Sequence, residues 1–152
     1  MSRRSQIAMS AEEVEEFLRE RHTLDVATIG PSGSIHLVAM WYGFLDRDIA
    51  FWTYRKSQKV LNLRRDPRMT CLVETGDTYD QLRGVELVGR GEIIEDRDTV
   101  MRIGESVSER YTGPVNDQVR AGIEVIGAKR VGVRVRVDSV VSWDHRKLGG
   151  AY

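Results

Sequence analysis

Thr53-Tyr54-Arg55-Lys56-Ser57-Gln58-Lys59-Val60-Leu61-Asn62-Leu63-Arg64-Arg65-Asp66-Pro67 is the stretch on which the reading of this chain turns. A strand-like run ends at Thr53, a polar loop follows, and Ser57 stands where a helix N-cap belongs. Val60 and Leu63, three residues apart, give one apolar face. Pro67 stops the helix, because the residue before a proline avoids helical geometry. The spacing predicts one short helix set between strands.

The flanking sequence has strand texture on both sides. Leu24 to Ile29 is a short apolar run closed by Gly30-Pro31-Ser32-Gly33, which is strong turn chemistry. Ile35 to Leu45 reads as a second, longer strand, Asp46-Arg47-Asp48 as a turn, and Ile49 to Thr53 as a third strand. Downstream, Arg68 to Thr75 is the fourth. Gly84 to Ile94 is the fifth, with Val85, Leu87, Gly89, Gly91 and Ile93 on one face; its glycines predict a bend or a close backbone approach. Arg130 to Val137 alternates, with Val131, Val133, Val135 and Val137 inward and Arg134 and Arg136 outward. Val140 to Trp143 continues that strand after a kink at Asp138-Ser139. Turns this closely spaced imply antiparallel hairpins.

Helices lie at the periphery. Met9-Ser10-Ala11-Glu12-Glu13 opens one: Ser10 caps, Glu13 completes a capping box, and Met9 staples onto Val14. It is expected to end near His22. Asp96 to Tyr111 and Asn116 to Ile126 give two more. The fold class is therefore mainly β with peripheral helices, a six- to seven-stranded antiparallel barrel in a single domain over residues 1–152, with residues 1–9 expected to be flexible.

Composition narrows the function classes. Lys+Arg and Asp+Glu both count 23 in 152 residues, so no basic surplus points to nucleic acid. The same balance leaves subunit association unopposed by charge. Cys71 is the only cysteine, which excludes an intramolecular disulfide and a cysteine zinc cluster. The arginines near the N-terminus are not followed by an apolar segment, and Leu37 to Leu45 falls far short of the ~20 residues a membrane span needs. The expectation is a cytoplasmic, soluble protein that engages neither membrane nor nucleic acid and holds no metal.

The chemistry concentrates at the short helix. Backbone N–H groups at a helix N-terminus, together with the dipole, attract anions. Arg55, Lys56 and Lys59 crowd that terminus, where cations are unfavourable for the helix itself. An anion site explains them; a solvated basic loop is the competing reading. Elsewhere the signals are weaker. His22, His36 and His145 have no metal-like spacing. Tyr79 and Tyr111 are unselected proton donors, Cys71 is a small buried hydrophobe, and the Trp143 to Leu148 tail has no assigned role.

At this point the chain resembles the pyridoxamine-phosphate-oxidase-like family, the flavin-binding split β-barrels, and within it the branch that uses the deazaflavin coenzyme F420. The resemblance rests on Leu24 to Ile29 and its glycine turn, the strand His36 to Phe44, the strand Ile49 to Thr53, Ser57-Gln58-Lys59 with Asn62 to Arg68, and Gly89-Arg90-Gly91. It covers residues 10–95 well and the last strand loosely. It implies a split barrel in which Ser57, Gln58 and Lys59 hold the cofactor phosphate with Thr53, Arg55 and Lys56 beside them. The ring would lie along Val38, Ala39, Met40 and Trp41. It implies a homodimer with the cofactor at the interface, and reduction of an electron-poor small molecule by hydride from reduced F420. FMN is the alternative cofactor, and a non-catalytic deazaflavin- or tetrapyrrole-binding protein the alternative role. The further basic residues and the C-terminal segment of oxidases acting on pyridoxamine phosphate find no match here. The anionic tail of F420 needs additional cations, for which Arg55, Lys56, Arg64, Arg65, Arg134 and Arg136 are candidates.

Overall fold

The computed structural model describes residues 2–20 and 22–150. Its strands are β1 (Leu24–Ile29), β2 (Ile35–Met40), β3 (Gly43–Leu45), β4 (Asp48–Tyr54), β5 (Arg68–Thr75), β6 (Arg83–Ile94) and β7 (Arg130–Asp144). Its helices are α1 (Arg3–Ile7), α2 (Ala11–Arg19), α3 (Gln58–Arg65), α4 (Arg97–Thr112) and α5 (Asp117–Gly127). Short 3-10 turns occupy Tyr79–Gln81 and His145–Leu148. Among these residues no helix is long and apolar enough to cross a membrane.

The strands form one antiparallel sheet in the order β2-β1-β5-β6-β7-β4-β3. Its two end strands, β2 and β3, are joined by Trp41 and Tyr42 alone. A link that short keeps Met40 and Gly43 within about 11 Å, so the sheet must curl until its ends meet. The ladder is not closed between them, and this is the split of the barrel. A single strand from Ile35 to Leu45 is thus corrected to two. The chain leaves one edge at Trp41 and joins the other at Gly43, while Tyr42 drops into the core and donates from its hydroxyl to Leu18 O (2.6 Å).

The barrel interior is filled from β1 (Leu24, Val26), β5 (Met69, Cys71, Val73), β6 (Val85, Leu87), β7 (Val133, Val135) and β4 (Ile49, Phe51), with Phe17 and Leu18 of α2 plugging one end. β4 is buried on both faces. Ala50 and Trp52 pack outward against Val100, Ile103 and Val107 of α4 and Ile123 of α5. That is why its sequence reads as a continuous apolar run.

Ser10 and Glu13 form the expected capping box, and Met9 and Val14 both pack on the core. α2 stops at Arg19, earlier than expected, because Glu20 turns extended (ψ 157°). The kink at Asp138 is a β-bulge: Val88 faces Ser139 and Gly89 faces Val137, leaving Asp138 without a register partner. Gly89 is required there, since a Cβ would stand 1.9 Å from Arg136 O. Val137 keeps the inward phase but lines a rim groove with Val14 and Phe44 and stays 44% exposed. Residues 3–7 of the N-terminal stretch form a helix.

Candidate functional site

The N-terminus of α3 differs from those of the other long helices. Ser10, Asp96 and Asn116 cap α2, α4 and α5 through their side chains. Ser57 takes the N-cap place of α3 with extended backbone (φ −67°, ψ 152°), yet its hydroxyl makes no capping bond, and the first turn carries no acidic residue. The positive end of α3 is left open.

Around that end stand cations without counter-charges. Lys59 is 8% exposed, and its Nζ donates to Thr53 Oγ1 (3.1 Å), which lies 3.5 Å from Ser57 Oγ. Burial, and then the nearby charge of Arg130, hold the Lys59 ammonium below its usual range. The Arg130 guanidinium lies over the rings of Trp52 (5.0 Å) and Tyr54 (4.6 Å), and its Nε is buried without a hydrogen-bond partner. Tyr54, Arg55, Lys56 and Lys129 line an adjoining cleft of about 420 Å³. Among the described residues, Arg55, Lys56, Lys59, Lys129 and Arg130 form no ion pair. A buried ammonium without a carboxylate is costly unless an anion joins it. The donor set therefore fits a phosphate group.

The β4–β7 ladder builds this arrangement. Tyr54 pairs with Arg130, Thr53 with Val131, and Arg55 N donates to Lys129 O (3.0 Å). Lys129 and Arg130 are thereby brought to α3 from more than 60 positions further along the chain. Sequence reasoning missed both; the alternation that begins at Arg130 was visible, but its pairing with the end of β4 was not.

The structure places the remaining candidates as follows. Gln58 is exposed and donates to Asn62 Oδ1 (2.7 Å); the fully buried Asn62 donates in turn to Thr28 Oγ1 (3.0 Å) of β1. Thr28 faces His36 of β2, whose Nδ1 is buried without a partner. Val38 and Met40 point toward the core, and Ala39 and Trp41 are exposed. β2 is hydrogen-bonded to β1 only, so one row of its backbone N–H and C=O groups has no strand beside it among the described residues. Trp41 stacks on Tyr111 of α4 (4.5 Å, 2° between planes), whose hydroxyl donates to His22 O (3.0 Å). None of the described hydrogen bonds, ion pairs or ring contacts joins Val38–Trp41 to Thr53–Lys59.

Four of the candidate tail cations are engaged within the chain. Arg64 pairs with Glu95 (2.9 Å), Arg65 donates to Ile29 O, Arg134 pairs with Asp46 (3.1 Å) and Arg136 with Glu92. Arg55 and Lys56 remain. The C-terminal tail also folds on its own chain. Trp143 lies where a Cβ of Gly84 would be, Asp144 accepts from Arg146, His145 meets the Tyr79 ring edge-on, and Lys147 reaches Ala8 O and Glu13. Cys71 is buried, which pushes its thiol up to about 12.

Comparison with known proteins finds a match to the family described as pyridoxamine 5'-phosphate oxidase over residues 10–144. A conserved hypothetical protein of Mycobacterium tuberculosis is 48% identical, with TM-score 0.94 over 100% of this chain and 95% of its own. An F420 reductase is 25% identical, with TM-score 0.66 over 83% of this chain and 94% of its own. The heme storage protein HutZ of Vibrio cholerae, 15% identical with TM-score 0.68 over 87% of this chain and 94% of its own, shares the fold. No curated protein matches.

Proposed function

The chain belongs to the pyridoxamine 5'-phosphate oxidase family, and from that premise we propose that it binds coenzyme F420 and acts as an F420-dependent reductase of electron-poor small molecules. The observation that carries this reading is the uncapped N-terminus of α3, ringed by cations that have no carboxylate partner among the described residues. A phosphate group placed there meets open backbone N–H groups, the Ser57 hydroxyl and the Lys59 ammonium, all of which favour negative charge. FMN offers the same phosphate. The cleft of Tyr54, Arg55, Lys56 and Lys129 supports the deazaflavin, because its positive charge suits an anionic tail extending beyond the phosphate. The 25% identity to an F420 reductase supports the same choice.

When bound, the reduced deazaflavin supplies the hydride; the protein supplies binding, orientation and the exclusion of water. Thr53 accepts from Lys59 and so fixes the ammonium that meets the phosphate. The backbone row of β2 at Val38 to Met40, which has no strand beside it among the described residues, offers donors and acceptors to the edge of a planar ring. The Trp41–Tyr111 stack forms a rigid aromatic wall beside it. Because none of the described hydrogen bonds, ion pairs or ring contacts joins those two parts within one chain, the complete site in this reading draws on a second copy in a homodimer.

The test is a parallel fluorescence titration with coenzyme F420 and with FMN, on the wild type and on Lys59→Ala. Selective binding of F420, weakened at least about tenfold by the substitution, is the expected result. Preference for FMN would move the protein to flavin chemistry on the same site. Unchanged affinity in Lys59→Ala would remove the phosphate site, and binding of neither cofactor would remove the reading.

A further inference from the structure

Lys129 and Arg130 have no ion pair of their own among the described residues, and Arg130 Nε has no hydrogen-bond partner. The Arg130 guanidinium rests on the Trp52 and Tyr54 rings, and the placement of both residues beside α3 is set by the backbone that carries them. Three contacts anchor that backbone. Arg55 N donates to Lys129 O (3.0 Å), Tyr54 pairs with Arg130, and the last turn of α5 ends immediately before them. The third anchor is the weak one, since α5 buries only Ile123 and Gly127. Its C-terminal carbonyls are held from outside. Arg97, the first residue of α4, donates from Nη1 to Gly127 O (2.6 Å) and from Nη2 to Glu124 O (3.1 Å). A cation at a helix C-terminus satisfies orphan carbonyls and complements the dipole. Gly127 permits the fit, because a Cβ there would stand 2.9 Å from the Trp52 ring and 3.1 Å from Arg97 Nη2.

We propose that Arg97 is a positioning residue for the anion site: by clamping the last turn of α5 it holds the Ala128–Lys129 turn, and with it the two cations that the β4–β7 ladder sets beside the α3 end. The proposal rests on the anion reading above. Arg97 is absent from the lining of the cleft it serves.

The experiment measures dissociation constants for coenzyme F420 and FMN, with thermal midpoints, on the wild type, Arg97→Gln, Arg97→Lys and Arg102→Gln. Arg102 lies on the same helix but pairs with Asp46, so its substitution removes an equal charge without touching α5. Arg97→Gln should weaken binding about tenfold and Arg97→Lys, which keeps the charge and a donor, about threefold; Arg102→Gln should stay within about twofold. A double-mutant cycle separates positioning from general loosening. If Arg97 acts through the cations it places, Arg97→Gln must cost clearly less in a Lys129→Gln background than in the wild type. Arg97→Gln binding within about twofold of the wild type, equal losses at Arg97 and Arg102, or strict additivity with Lys129→Gln would each overturn the proposal. If Arg97→Gln does not fold, the Arg97→Lys arm and its cycle with Lys129→Gln decide on the same criteria. Failure of the wild type to bind either cofactor is a different result: it removes the anion reading, and this proposal with it.

Discussion

Lys59 carries a charge into a place where, among the described residues, only a threonine hydroxyl receives it. Its ammonium is held below its ordinary 10.5 by burial and by Arg130. Below that lowered value both folded and unfolded chains are protonated, and the folded state bears the desolvation cost. Between it and 10.5 the unfolded chain binds more protons, so stability must rise with pH across that window. Lys59→Met should remove this alkaline rise. At neutral pH it should leave the protein as stable as the wild type or up to about 2 kcal/mol more stable, since an uncompensated buried charge is lost. Urea unfolding at a series of pH values checks both points. Cofactor affinity should move the other way. In the wild type it should fall as pH climbs through the lowered Lys59 value, because only the protonated amine attracts a phosphate, and Lys59→Met should flatten that fall. A variant both markedly less stable and unaltered in binding would make Lys59 a core residue and nothing more.

The helices divide into those that close their own ends and one that does not. Ser10 receives Glu13 N, and Glu13 answers through Ser10 N (2.7 Å), so Ser10→Ala should cost about 1 kcal/mol. Ser57 makes no such bond in α3, and Ser57→Ala should cost no more than about 0.5 kcal/mol while weakening binding of the phosphate cofactor. Thermal melts with and without cofactor separate the two effects. If Ser57→Ala destabilises the free protein as much as Ser10→Ala, the end of α3 is an ordinary capped terminus. Both starts were legible in the sequence, because capping residues, spacing and Pro67 are local signals. β1 and β5 were legible residue for residue, each being an apolar run closed by turn chemistry or preceded by proline. The break at Trp41–Tyr42 was not, since the apolar run continues through it and only the curl of the whole sheet demands a crossing. The site divides along the same line. Thr53 to Lys59 is contiguous and readable. Lys129 and Arg130 depend on the β4–β7 register, as does the capture of Arg134 and Arg136 by Asp46 and Asp48, while Glu92 reaches Arg136 through the β6–β7 register.

At the scale of the molecule, the outer face of the sheet is more apolar than a solvated surface requires. Leu37, Ala27, Thr70 and Val88 lie in one row across β2, β1, β5 and β6. Ile35 and Leu37 are 65% and 67% exposed, and the same face carries a cleft of about 410 Å³ lined in part by Ile35, Ala27, Thr70 and Val88. Charges at its border come in both signs, Arg68 and Arg90 with Asp138, so one copy of this face offers partners to another. With zero net charge on the chain, no long-range repulsion opposes that pairing. If the homodimer of the proposed function uses this face, a two-fold interface places each substitution twice. Leu37→Glu removes about 1.5 kcal/mol or more of apolar burial per copy and leaves a carboxylate in its place. The dimer should therefore weaken by at least about a hundredfold. Light scattering across a protein dilution series reads the dissociation, and the F420 titration repeated at each dilution reads the site. A site completed by a second copy must lose affinity as the dimer dissociates, and Leu37→Glu must show that loss at higher protein concentration than the wild type. A monomeric variant that binds with wild-type affinity would place the whole site within one chain.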